Sequence, residues 1–371
     1  MMRFSLAFVV VPALILAACP VLLVTEGEGE GEEGEGEEGE GEGEEGEGEG
    51  EGEGEGEGEG DPCPLIDLCA GTPVTGTVNF DGDVVTVDAL AITVGTTTRA
   101  QVSAALGAGV DDDNAFRVLY CAAGVLVQFV DADGTLSTTP AAANGDRVAR
   151  VITLAGSTAT SSDGSAIGAP APAGAATASA AVGGGEIRFF GAAGRQLLID
   201  DAGDVVQIGA FRPQTSDIWT LPLTLAADEQ SLSTLDRDDT FATASALLGT
   251  NFDAEGVVAV NGVGDVFVRI WAAAGVRVVG LCGESCGDAT GITSIVVSPP
   301  FVGKDGALGI GSTRAEMEVN TGTGSADGDV IVYGSEDLFG FGEPALGVVY
   351  AQDAQCTERA VAFIFNYVGS N

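Results

Sequence analysis

The 371-residue chain contains no histidine, which removes the side chain most often used as general base, proton shuttle and metal ligand. Its one lysine, Lys304, has Phe301 three positions before it, so no Ser-x-x-Lys nucleophile arrangement exists. The glycine clusters Gly183–Gly185 and Gly322-Thr323-Gly324 match neither a P-loop nor a dinucleotide fingerprint and read as turns. Carboxylates are abundant: residues 61–371 hold 28 Asp and 9 Glu. A pair of them acting as acid and base is the one enzymatic chemistry the composition offers, that of a secreted hydrolase. No particular pair stands out, and Asp in such numbers reads first as turn chemistry. For Ca²⁺ the nearest motifs are Asp111-Asp112-Asp113-Asn114 and Asp131-Ala132-Asp133-Gly134. Neither completes the twelve-residue loop with its terminal Glu, and Asp133-Gly134 is expected to be a hairpin turn. Trp219, Trp271, Phe363, Phe365 and Tyr367 have the chemistry of a carbohydrate or protein contact. The period-2 placement of the last three predicts a core strand instead. No catalytic residue, metal ligand or cofactor site is assigned.

Seven cysteines remain as chemistry-bearing residues. The first, Cys19, closes a leader made of a basic start (Met1–Arg3), an apolar core (Phe4–Leu16) and Leu16-Ala17-Ala18-Cys19. The apolar core is too short to span a membrane. These residues resemble the lipobox of bacterial lipoprotein signal peptides. That resemblance implies lipidation of Cys19, a mature chain starting there and a bacterial envelope location, with the membrane as partner through the lipid. An ordinary secretory signal is the competing reading. The other six, Cys63, Cys69, Cys121, Cys282, Cys286 and Cys356, are an even number in an exported chain and read as up to three disulfides. Proximity suggests Cys63/Cys69 and Cys282/Cys286, leaving Cys121 with Cys356. A zinc site competes only weakly, because Cys-x3-Cys has no second matching pair.

After the leader, Glu26–Gly60 holds 19 Glu and 16 Gly without interruption. Such a run cannot bury a core and repels itself, so an extended, disordered tether is expected, at most ~120 Å long at about 3.4 Å per residue. The chain carries a net charge of −42, and residues 61–371 still carry −24. That field argues against nucleic acid as a partner.

The body must position whatever function remains. It is rich in Val, Gly and Asp, which predicts short strands and many turns. Val74, Val78 and Phe80 alternate, and Asp81-Gly82 signals a hairpin. Thr98-x-x-Gln101 has the spacing of a capping box before a short Ala-rich helix that ends at Leu106-Gly107. This helix is expected again at Ala176–Gly183, at Ala242–Gly249 and, with Thr313-Arg314-Ala315-Glu316 as its start, a fourth time. An aromatic, a glycine and a strand then follow: Tyr120, Gly124 and 125–130; Phe190, Gly194 and 196–199; Trp271, Gly275 and 276–281; Tyr333, Gly347 and 348–350. A second strand closes each copy, at 147–154, 204–211, 292–297 and 360–367. The spacing predicts four degenerate copies of one unit.

The expected fold is therefore α+β, strand-dominated, with repeated units of a short helix plus an antiparallel hairpin. The expected organisation is 1–18 signal peptide, 19–60 lipidated cysteine and linker, 61–230 first repeat pair and 231–371 second. The order of features in Gly95–Val130 and Gly311–Tyr350 resembles the small α+β unit of β-lactamase-inhibitor proteins and of small outer-membrane assembly lipoproteins. That implies protein binding without catalysis. Residues 238–278 also resemble β-sandwich domains found beside secreted bacterial peptidases, which would make Thr243–Leu248 extended instead of helical. Function is expected to be non-catalytic, as binding, adhesion or envelope structure.

Overall fold

The structure is a computed structural model that describes residues 68–111, 117–131, 146–182, 185–226, 229–260, 264–334, 345–352 and 357–367. Cys19, the Glu/Gly run, Cys63 and Cys356 lie outside these residues, as do Asp112–Asn114 and Asp133-Gly134. The fold is α+β and strand-dominated. Among the described residues three helices, α1 (Arg99–Leu106), α2 (Phe241–Leu248) and α3 (Arg314–Thr321), accompany two eight-stranded antiparallel sheets.

The first sheet joins two four-stranded meanders. One comprises Val110–Asp111, Arg117–Tyr120, Val125–Val130 and Arg147–Thr153; the other Ala178–Val182, Gly185–Phe190, Arg195–Ile199 and Val205–Phe211. They meet through their last strands, with Ala210 opposite Val151. The second sheet repeats the plan. Ala254–Val260, Gly264–Trp271, Val276–Leu281 and Ser294–Val297 meet Ser325–Asp327, Val330–Tyr333, Ala345–Gln352 and Glu358–Asn366, again last strand to last strand, with Ile295 opposite Phe365.

A backbone bridge marks the same point in each meander. Thr98 pairs with Arg147, Thr240 with Gly291 and Thr313 with Arg359, so each helix N-cap lies against the lead-in or start of its own unit's last strand. Both capping boxes close: Thr98 Oγ1 accepts the Gln101 N–H and Thr313 Oγ1 that of Glu316, while each N3 side chain accepts the cap's own N–H. The Thr240 hydroxyl caps nothing. There the N–H groups of Phe241 and Ala242 donate to the carbonyls of Thr290 and Asp288.

The second unit departs from expectation. Its bridge is Pro170 to Asp204, and the predicted helix at Ala176–Gly183 is instead the edge strand Ala178–Val182, paired with Gly185–Phe190. Chain length explains this. Twelve positions separate Thr98 from Val110 and Thr313 from Ser325, and fourteen separate Thr240 from Ala254, but only eight separate Pro170 from Ala178. An eight-residue helix does not fit in that interval. The residues over the sheet come instead from the hairpins Val78–Asp81, Val84–Val87 and Leu90–Thr93, which turn at Gly82 as expected and are joined by Thr160–Ser161 in parallel.

The aromatic-to-glycine signal is a tight hairpin. Tyr120 pairs with Val125, Phe190 with Arg195 and Trp271 with Val276 across four-residue loops ending in Ala-Ala-Gly. The last residue of each loop is left-handed, at φ 71°, 63° and 70° for Gly124, Gly194 and Gly275. A Cβ at Gly275 would also stand 2.0 Å from the Ser298 carbonyl, so only glycine serves. Each glycine carbonyl then accepts an N–H from the end of the last strand or just beyond it, from Leu154, Phe211 and Ser298. The fourth copy differs: Gly347 lies inside a strand, opposite Val332, and turns nothing.

Packing follows the alternation of faces. Val78, Phe80, Val85, Val87 and Ile92 of the small sheet and Val102 of α1 cover Val125, Val127, Phe129, Val148 and Val151 of the first sheet. Phe241, Ala244 and Leu248 of α2 and Met317 of α3 cover Trp271, Val278, Ile295, Phe363 and Phe365 of the second. The opposite faces of the two sheets meet at Val130, Ala149, Val266, Val268 and Ile270. Trp219, Trp271, Phe363 and Phe365 are fully buried, so they are core residues and not a contact surface.

Two disulfides are present among the described residues. Cys282–Cys286 matches the expected close pair. The second corrects the sequence reading: Cys69 bonds Cys121, 52 residues away, and not Cys63, which also separates Cys121 from Cys356. The physical reason is the path of the neck, which folds back over the first hairpin loop. Thr75 and Gly76 both donate to the Ala122 carbonyl at 2.9 Å, and Leu68 packs beside Leu119 and Leu126.

Candidate functional site

The connector between the two sheets carries a concavity. Leu223, Leu225, Leu232 and Leu235 anchor it in the core, and a two-residue ladder pairs Leu223 with Leu232 and Thr224 with Ser231. These anchors leave the polar residues between them facing a cavity of about 250 Å³ lined by Glu229, Gln230, Ser231, Asp236, Arg237, Asp238 and Tyr367. Its floor comes from the end of the chain's last strand: the Tyr367 hydroxyl donates to the Gln230 carbonyl at 3.1 Å.

Asp chemistry shapes the rim. Asp236 Oδ1 accepts the Asp238 N–H at 2.9 Å, and Asp239 Oδ2 accepts the Asp236 N–H at 2.9 Å, the local side-chain-to-backbone bonding that favours Asp in turns. Burial pushes the Tyr367 phenol well above its ordinary value, and the charges of Asp236 and Asp239 add to the rise. Among the described residues three carboxylates and one guanidinium line the cavity, so it suits a basic group better than an acidic one. Ser231 brings an aliphatic hydroxyl, and among the described residues no imidazole or amine lines the cavity to take its proton. Among the described residues no group of three or more Cys, Asp or Glu is arranged to hold a metal ion.

The sequence-singled residues do not converge here. The Cys69–Cys121 pair sits under the neck and the Cys282–Cys286 pair on the loop after Val276–Leu281. Asp111 pairs with Arg99 at 3.3 Å, Asp131 is buried, and the exposed Lys304 lies in a two-residue ladder with Leu308–Gly309.

Two polar centres were not legible in the sequence. Arg269 is buried under α2, where its guanidinium meets Glu255 Oε2 at 2.7 Å, Asp288 Oδ1 at 2.9 Å and Ser245 Oγ at 2.6 Å. The Phe252 ring lies 4.6 Å away, and the rings of Phe241 and Phe267 are also close. Its donors are spent on structure. Asp253 accepts the Ala272 N–H at 2.8 Å and thereby fixes the Trp271–Gly275 hairpin. Burial pushes its carboxyl up to about 7, against the opposing pull of Arg212 and the N–H groups of Ala272 and Ala273. A signal existed only for Arg269, a charge set inside the otherwise apolar run 266–271.

Compared with known proteins, the chain matches no family profile, no curated protein and no solved structure.

Proposed function

We propose that this protein is a lipid-anchored envelope protein whose sheet-rich body acts as a non-catalytic binding, adhesion or structural module, held off the membrane by an acidic tether. One observation carries the reading: a leader ending in Leu16-Ala17-Ala18-Cys19 is followed by the Glu/Gly run ending at Gly60. A lipid on Cys19 supplies the anchor, and a charged run of that composition extends by self-repulsion. The disulfides support it, because such bonds persist in oxidising, exported compartments. The binding reading is supported by the acidic connector cavity, whose Asp236 and Asp239 side chains hold turn N–H groups. A basic protein segment is the class of partner that fits it.

Fractionation tests the anchor. The wild-type chain is expected in the detergent phase of a membrane extract and a Cys19→Ser variant in the aqueous phase. Retention of the variant with the membrane would place the anchor elsewhere.

A further inference from the structure

Arg150 lies on the last strand of the first unit, on the face directed away from Val151 and the small sheet. Cross-strand register puts Arg117, Gln128 and Arg150 in one row, since Arg117 opposes Gln128 and Gln128 opposes Arg150. Directly opposed residues share a face. The row is closed to water: Arg117 is 4% exposed, Arg150 3%, and the neighbouring Gln196 1%. Arg150 Nη2 donates to Gln196 Oε1 at 2.5 Å. Among the described residues its buried Nε and Nη1 meet no acceptor and no carboxylate pairs with it.

Three other buried arginines each have an acid: Arg99 has Asp111, Arg195 has Asp163 and Arg269 has Glu255 and Asp288. Arg150 has instead a second guanidinium, Arg117, near enough to disfavour its charge. Burial is the larger influence, and the two together lower it to about 9, so it remains a cation at neutral pH. A buried cation demands a counter-charge or strong hydrogen-bond acceptors.

We propose that Arg150, beside Arg117 and Gln196, holds a small monovalent anion of halide size between the strands. The ligand is small because its donors are sealed from solvent, and monovalent because one guanidinium is uncompensated. Arg150 Nε and Nη1 donate to it. The Gln196 carboxamide, whose oxygen is engaged by Arg150, has its N–H groups left to complete the shell.

The test is thermal unfolding of the whole chain in chloride or bromide against gluconate at constant ionic strength. The expected result is a saturable rise in Tm with either halide and none with gluconate. In Arg150→Met the halide response disappears, whereas in the surface variant Arg314→Met it persists. Equal melting in halide and gluconate would overturn the site, as would a response that survives in Arg150→Met. Should Arg150→Met not fold, Gln196→Leu decides. Loss of one charge-assisted hydrogen bond then raises the half-effect halide concentration about tenfold, and an unchanged midpoint overturns the proposal.

Discussion

The indole N–H of Trp219 donates to the carbonyl of Ala273 at 2.6 Å. Trp219 belongs to the connector, and Ala273 to the hairpin loop of the third unit. The same indole stacks on Phe189 of the second unit, with centroids 4.8 Å apart and planes 8° from parallel. One fully buried side chain thus ties both sheets to the segment between them. Trp219→Ala is expected to cost about 3–5 kcal/mol, and Trp219→Phe, which keeps a ring but orphans the Ala273 carbonyl, about 1–3 kcal/mol. Urea unfolding of both variants checks the order.

Asp253 makes stability depend on pH. Its folded pKa, about 7, lies above the ordinary 3.8, so between those values the folded chain binds more protons than the unfolded one. Its contribution is full below pH ~4 and is lost as pH rises through 7. Asp253→Asn keeps an oxygen for the Ala272 N–H and removes the titration. The variant is expected to gain on the wild type by about 2–4 kcal/mol between pH 4 and 8. Denaturation midpoints of the pair across that window measure it. A parallel decline in both would contradict it.

The disulfides differ in what they constrain. Cys69–Cys121 closes 52 residues and Cys282–Cys286 only 4. On loop-closure entropy the first is worth about 4 kcal/mol and the second about 2. Replacing each pair by serine and comparing Tm tests the ranking. Peptide mapping without reduction should recover Cys69 linked to Cys121.

Helix caps give a third contrast. Thr98→Ala and Thr313→Ala each remove a reciprocal box and should cost about 1 kcal/mol. Thr240→Ala removes no cap hydrogen bond and should cost only a few tenths of a kcal/mol. Equal losses in all three would mean the boxes contribute nothing beyond propensity.

Local chemistry was legible wherever it was self-contained. Thr98-x-x-Gln101 and Thr313-x-x-Glu316 announced helices because cap and N3 lie within one turn, and the recurring aromatic, glycine and strand beginning at Tyr120, Phe190 and Trp271 fell on hairpins whose glycines are left-handed. The helix at Phe241–Leu248 held for the same reason, with Leu248-Gly249 as its stop, which removes the extended alternative there. Ala176–Gly183 misled because Ala, Thr and Ser fit either state, and the deciding quantity was distance from the Pro170 bridge, a tertiary fact. The Cys63/Cys69 pairing misled for a similar reason, although Cys282/Cys286 was right: closeness in sequence is no guide when a neck folds back over a hairpin. The connector cavity and the Arg150 row were hidden because they are assembled from strands and loops far apart in the chain.

A lipid at Cys19 underlies the proposed anchoring, and the mass of the mature N-terminal peptide from isolated membranes measures it directly. The expected result is a chain beginning at Cys19 with diacylglyceryl and acyl mass on that residue. An N-terminus elsewhere, or an unmodified Cys19, would contradict it.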